Sequence, residues 1–259
     1  MSAAALAPAR SFSGRLSNLL ERVDYRLVES DEDREAIFRL RYNAYVREGA
    51  IAPSFAKRLH DPFDDAENSW IFGLYIDGEL LSSLRICVSS PAHPLTPAVQ
   101  AFPDILGPTV ERGQIIVDPN RFVADHEGTR RFPELPYLTT RLSFVSSAYF
   151  DAYLATASVR REHQAFYKRV FLYAPVCEPR PYATLIKPLS LMTVVCREVR
   201  AKILHRYPCY HSTIFERRML FERHALPRRA AAMLHAKLPS ANINEAEPVP
   251  APVASVGGR

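Results

Sequence analysis

The pair Asp77-Gly78 stands between two strand-like runs, Trp70 to Ile76 and Glu79 to Val88, and so predicts an antiparallel hairpin. A hairpin commits the chain to a sheet, and its flanks decide which kind. Before it, Tyr25 to Glu29 alternates like a strand. Ser30, with Asp33 three residues on, then opens a helix whose apolar stripe of Ile37, Leu40, Tyr42, Tyr45 and Val46 carries it to about residue 47. After the hairpin, Val110 to Pro119 reads as a strand stopped by its proline, and the spacing of Leu138, Leu142, Val145 and Tyr149 predicts a helix. Tyr153 to Val159 reads as a buried strand and Glu162 to about Val170 as a helix. Strand-like residues Thr184 to Val195 and two basic helices ending near Leu226 follow. Gly49 to Asp65, the Pro-rich stretch Pro91 to Pro108 and the segment from Pro119 to Pro136 show little periodicity and are expected as loops.

This alternation, without internal repeats, predicts an α/β (α+β) domain with a central mixed sheet flanked by helices, and extra basic helices at its C-terminal end. The domain is expected over 24–226, after an N-terminal extension, 1–23, holding one short amphipathic run from Leu16 to Val23. Residues 227–259, rich in Ala and Pro, are expected to be disordered.

Composition removes several classes of chemistry. With only 9 glycines there is neither a dinucleotide fingerprint nor a P-loop, and no Gly-x-Ser-x-Gly elbow occurs. Cys87, Cys177, Cys196 and Cys209 have no paired spacing, so neither a zinc site nor a disulfide framework is expected, and no metal is called for. No run approaches the roughly 20 apolar residues of a membrane span, and the start lacks a signal-like apolar region, which gives a cytoplasmic expectation. Residues 159–230 carry 15 Lys+Arg and 5 Asp+Glu, a net of +10 in a chain of +5, which leaves −5 for the rest. That half fits an acidic partner or a solvated face; with no helix-turn-helix or other recognised module in it, nucleic acid is not the expected partner.

Ionisable residues also fall inside apolar or strand-like surroundings: Arg41 in the first helix, Asp61 and Asp64 in a loop, Arg85 in a strand and Glu111 opening another. Such groups are costly unless paired. On spacing alone, Arg85 and Glu111 could equally be a structural pair bridging neighbouring strands.

Four blocks hold these residues: Leu40-Arg-Tyr-Asn-Ala-Tyr-Val-Arg-Glu-Gly49, Asp61-Pro-Phe-Asp-Asp65, Asp77-Gly-Glu-Leu-Leu-Ser-Ser-Leu-Arg85 and Glu111-Arg-Gly-Gln-Ile-Ile-Val-Asp-Pro119. In this order they resemble the acyl-homoserine-lactone synthases and, more closely, their sister family, the N-acyl amino acid synthases, over about residues 25 to 175. The resemblance implies the GNAT acyltransferase fold, with Arg41, Asp61, Asp64, Arg85 and Glu111 as the matching site residues. Gln114 departs from the quorum-signal pattern, in which an arginine stands three residues after the glutamate. Val46-Arg-Glu-Gly-Ala-Ile51 and the long basic C-terminal part suit the amino acid synthase branch. Phe166-Tyr-Lys-Arg-Val-Phe171 resembles the late-helix segment in which a tyrosine, here Tyr167, faces the leaving thiol. The usual acetyl-coenzyme-A loop is missing after the fourth strand, which suits a carrier-protein donor.

The activity so implied is transfer of a long-chain acyl group from the phosphopantetheine thioester of an acidic acyl-carrier protein to the amine of an amino acid, with no tightly bound cofactor. Glu111 is the expected base and Tyr167 the expected acid. Asp61 and Asp64 would hold the ammonium, and Arg41 or Arg85 would pair with a carboxylate or lock the acids; Gln114 would face the substrate. Backbone N–H groups over Gly113 to Val117 are the expected oxyanion donors. Arg160, Arg161, Lys168, Arg169, Arg197, Arg200 and Lys202 would meet the carrier. The alternatives are a homoserine-lactone synthase consuming S-adenosylmethionine and a non-catalytic acyl- or carrier-binding protein of the same fold.

Overall fold

Two successive residues with positive φ, Asp77 at 52° and Gly78 at 82°, make the predicted hairpin turn in the computed structural model, which describes residues 11–182 and 185–223. The expected tail, 227–259, lies outside the described residues. In chain order the elements are α1 (Phe12–Leu20), β1 (Val23–Leu27), α2 (Asp31–Arg47), β2 (Ser69–Ile76), β3 (Glu79–Ser89), α3 (Pro97–Ala101) and α4 (Pro103–Glu111). There follow β4 (Ile116–Ala124), α5 (His126–Arg131), α6 (Leu135–Tyr149), β5 (Leu154–Val159), α7 (Gln164–Phe171), β6 (Ala174–Pro175), β7 (Ser190–Val195), α8 (Cys196–Arg206) and α9 (Ile214–Phe221).

The strands form one mixed sheet in the order β1-β2-β3-β4-β5-β7-β6, antiparallel except where β4 and β5 run parallel. Those two pair only at Ile116 with Leu154 and Val117 with Ala155, and then separate. Leu142 and Val145 of α6 pack one face with Leu84, Ile86 and Val88 of β3. On the opposite face, Ile37 and Phe38 of α2 pack on Ile71, whose sheet partner is Arg85. Leu16 and Leu19 of α1 join the main core with Leu135 and Leu138. Burying a leucine completely, as Leu16 is, contributes roughly 1.5–3 kcal/mol. Arg141 of α6, buried, anchors the C-terminal segment by donating to the carbonyls of Cys209 and His211 and to Glu216 at 2.6–2.8 Å.

Helix α2 keeps its predicted bounds because Ser30 caps it, its hydroxyl accepting from the Asp33 amide. The segment expected as a Pro-rich loop folds differently. Pro97 and Pro103 stand at the first turns of α3 and α4, where a missing N–H costs nothing. Helix α4 runs through Val110 and ends at Glu111, so Glu111 closes a helix and does not open a strand. Pro119 likewise does not stop β4. The Ile115 carbonyl accepts from Tyr153 and Leu154, so by strand alternation the Pro119 nitrogen lies on the β5 edge, beyond the last β4–β5 pair. A proline on that edge removes no ladder hydrogen bond. The expected loop before Pro136 contains α5, capped by Asp125, whose carboxylate accepts from Gly128. Thr184, the expected start of the last long strand, lies outside the described residues, and β7 takes the Ser190–Val195 part of that stretch.

No described helix is long and apolar enough to cross a membrane.

Candidate functional site

Four separate segments deliver one buried charge cluster on the α2 face of the sheet. Arg41 comes from α2, Asp61 and Asp64 from a 3-10 turn closed by a capping box, Arg85 from β3, and Arg121 from β4. Arg41 Nη1 donates to Asp64 Oδ1 at 2.7 Å, and Arg85 Nη1 donates to Asp61 Oδ1 and Asp64 Oδ1, each at 2.7 Å. Arg85 Nε donates to Asn120 Oδ1 at 2.6 Å. Arg121 donates to Asp61 Oδ2 from Nη2 at 2.6 Å and from Nε at 3.0 Å. Burial alone would raise the Asp61 and Asp64 carboxyls, but Arg85 and Arg121 hold Asp61, and Arg41 and Arg85 hold Asp64, below the usual carboxylate range. The Asp64 amide and the Asp61 amide complete the turn, the latter donating to Asp64 Oδ2 at 2.9 Å. Both carboxylates thus have hydrogen bonds on each oxygen, all from arginines or backbone. Nε and Nη2 of Arg41 are buried without a hydrogen-bond partner among the described residues, and burial lowers the proton affinity of its guanidinium.

Sequence reasoning missed Arg121, and a β-bulge explains both its role and its concealment. Arg85 stands opposite Asn120 and Ser83 opposite Val123, so β4 takes three steps where β3 takes two. Arg121, with φ of 53°, lies in that irregular stretch. Strict alternation would send its side chain to the α6 face; the bulge turns it toward Asp61. Asp118, three residues earlier and on the same face, is fully buried, accepting from the Ala98 amide at 2.8 Å and from Thr156 Oγ1 at 3.2 Å. Burial raises its carboxyl above the ordinary range. An acid followed three residues on by an arginine is therefore present at Asp118 and Arg121, the spacing sought at Glu111 and Gln114.

Where β4 and β5 separate, a cavity of about 560 Å³ opens, lined among others by Tyr45 of α2 and Glu48 at its C-terminal cap, Arg121 and Phe122 of β4, Ser158 of β5 and Tyr167 of α7. Tyr167 is one of the expected residues placed here, and burial raises its phenol above the ordinary range, which keeps it protonated. Glu111 is exposed and Gln114 bonds to Arg112 Nε at 3.0 Å; neither lines the cavity, because both precede β4 while the charge cluster sits at its far half. Most backbone donors of the Gly113 to Val117 stretch are already engaged. The Gly113 and Gln114 amides donate to Val110 and Thr109, and Ile116 and Val117 are paired in the sheet.

Of the basic residues, Arg161, Lys168, Arg169, Arg197, Arg200 and Lys202 are exposed on or beside α7 and α8. Arg169 also donates to the Tyr137 hydroxyl at 2.8 Å. Arg160 differs: its side chain is only 12% exposed, lines the cavity and pairs with Glu48 and Glu162. Among the described residues, no group of three or more His, Cys, Asp or Glu side chains is placed to hold a metal ion.

Residues 36–195 match the family described as N-acyl amino acid synthase FeeM. Among solved structures, FeeM, an N-acyl amino acid synthase from uncultured soil microbes, superposes with a TM-score of 0.59 at 19% identity, covering 71% of this chain and 96% of that one. The CoA-dependent acyl-homoserine lactone synthase BjaI, with SAM and isopentyl-CoA, gives a TM-score of 0.50 at 16% identity, over 69% of this chain and 83% of that one. The AHL synthase LasI gives 0.50 at 13%, over 66% and 89%. A search of curated proteins finds no match. The structural likenesses establish a shared GNAT-like fold, and the family match spans well over half of the sequence. The chain belongs to the N-acyl amino acid synthase FeeM family and is an N-acyltransferase.

Proposed function

We propose that the chain moves a long-chain acyl group from the thioester of an acyl-carrier protein to the α-amine of an amino acid. The observation that carries this reading is the cavity between the separated strands, which is bounded by a protonated tyrosine, Tyr167, and by Arg121 of the charge cluster. Its volume of about 560 Å³ lies within the range of small-molecule sites.

A thioester is already activated, so the protein has mainly to align amine and carbonyl, stabilise the oxyanion and protonate the thiolate. Tyr167 supplies that last proton. The bulged residues Arg121 and Phe122, which have no register partner on β3, would be the place for oxyanion donors. Arg121, which lines the cavity, faces the carboxylate of the incoming amino acid, while Asp61 and Asp64, each of whose oxygens already accepts from an arginine or a backbone amide, lock the arginines. The exposed cations of α7 and α8 would steer an acidic carrier to the helix that bears Tyr167.

A second reading, lactone synthesis from S-adenosylmethionine, gains support from the Asp118–Arg121 spacing. Palmitoyl-carrier protein and palmitoyl-CoA, each given with a pool of amino acids with and without S-adenosylmethionine, separate these readings by mass spectrometry. An N-acyl amino acid formed from the carrier without the sulfonium is the expected product. A sulfonium-dependent lactone, or product from the CoA thioester alone, would overturn the acceptor or the donor respectively.

A further inference from the structure

An α-ammonium must lose a proton before its nitrogen can attack a carbonyl, so the transfer proposed above needs a proton acceptor at the cavity. Glu111 does not line it, Asp61 and Asp64 are occupied by arginines and backbone amides, and Asp118 is fully buried against Ala98 and Thr156. Among the described residues that line the cavity, Glu48 is the one carboxylate. It sits at the C-terminal cap of α2, where Arg160 Nη2 holds its Oε2, and no described residue hydrogen-bonds Oε1. Arg160 also touches His163 Nε2 at 2.7 Å, so one guanidinium fixes the carboxylate against the opposite wall of the cavity, 112 residues along the chain. The Glu48 side chain is 47% exposed, which leaves a path for a proton to bulk water.

We infer that Glu48 is the catalytic base of the amine acceptor, a role that rests on the acyl transfer proposed above. The ammonium carries two protons that the amide does not. The first passes to Glu48 Oε1, directly or through one water, and from there to solvent. As the C–N bond forms and the C–S bond breaks, Tyr167 gives its proton to the departing thiolate, and the second proton leaves the nitrogen to restore the Tyr167 phenol. The charged and titratable groups nearest Glu48 are Arg160, Glu162 and His163 from the connection between β5 and α7, Lys187 ahead of β7, and Arg47 on α2, and the same cavity wall also carries Tyr45 of α2, Arg121 of β4, His126 of α5 and Tyr167 of α7. Burial, then Arg160, lowers the His163 pKa, so this imidazole stays neutral near pH 7.

Glu48→Gln keeps the side-chain length and an oxygen for Arg160 while removing the base. With an amino acid acceptor near neutral pH, kcat is expected to fall roughly 100-fold with KM little changed. That deficit should shrink as pH rises through the titration of the amine, and vanish with hydroxylamine, which is already unprotonated. Glu48→Asp, which retains a carboxylate, should keep the wild-type shape of the pH profile, and it guards against a Gln variant that fails to fold. A Glu48→Gln enzyme as fast as wild type, or one equally slow at every pH and with both acceptors, overturns the inference and leaves acyl transfer standing. Wild-type protein that yields no acylated amine overturns both.

Discussion

Arg121 donates from Nη2 to Asp61 Oδ2 at 2.6 Å, although the register of β4 beyond Asn120 would otherwise aim it at the opposite face of the sheet. The bulge places a third arginine on two aspartates, and only this one lines the cavity. Arg121→Met should therefore weaken amino acid acceptors about 10- to 100-fold in kcat/KM, in line with loss of a charged hydrogen bond, while an amine lacking a carboxylate is affected far less. Steady-state rates with matched acceptors test this; equal losses for both would remove Arg121 from carboxylate recognition.

Removing an acid from the cluster and removing an arginine should not be equivalent. Without Asp64, Arg41 and Arg85 are left facing each other; without Arg41, two arginines still balance two aspartates. Asp64→Asn is expected to cost about 3–5 kcal/mol, the cost of breaking a buried pair, and Arg41→Met clearly less. Urea unfolding of the two variants decides the order, and a reversed order would mean that the Arg41 charge is stabilising in its own right.

Acid should erase part of the cluster's contribution. The folded Asp61 carboxyl lies below its unfolded value, so the stability it confers is present above the ordinary carboxylate pKa, about 3.9, and is lost as pH falls toward the depressed folded value. The gap in unfolding free energy between wild type and Asp61→Asn should be full at pH 7 and narrower at pH 3. A gap independent of pH would show that Asn fails for reasons of shape.

Tyr167→Phe deletes one hydroxyl from the cavity wall. Turnover should fall about 100-fold with a thiol leaving group of ordinary basicity, and less with an aryl thioester whose thiolate needs no proton. Uniform loss across leaving groups would make Tyr167 a packing residue.

Glu111→Gln provides a contrast, because its side chain is exposed at the end of α4. Turnover is expected to remain within about twofold of wild type, the behaviour of a surface substitution. A large loss would require Glu111 to approach the cavity in a conformation different from this one.

Much of the fold is legible in the chain because its signals are local. Ser30 and Asp33 start α2, and Asp77-Gly78 turns the hairpin. Arg41, Asp61, Asp64 and Arg85 are legible as a group because charge in apolar surroundings demands partners, and the structure joins all four. What stays hidden is register. Val110 and Glu111 continue a helix begun by Pro103, and Gly113, with φ of 67°, separates it from β4. An acid and an arginine three residues apart occur further along the chain, at Asp118 and Arg121, on either side of a proline that reads as a strand end. Neither the parting of β4 from β5 nor the bulge has a local signature, since each depends on which edge of a strand is left unpaired.

Four strands on one side of the sheet and three on the other are joined at the middle by two residue pairs, Ile116 with Leu154 and Val117 with Ala155. Mechanically these are two plates sharing a short seam. Widening the angle between them would break no ladder hydrogen bonds beyond that seam, so what holds the plates at their angle is packing, the core that Leu81 of β3 shares with Ala155 and Ala157 of β5, more than the hydrogen bonding of the sheet.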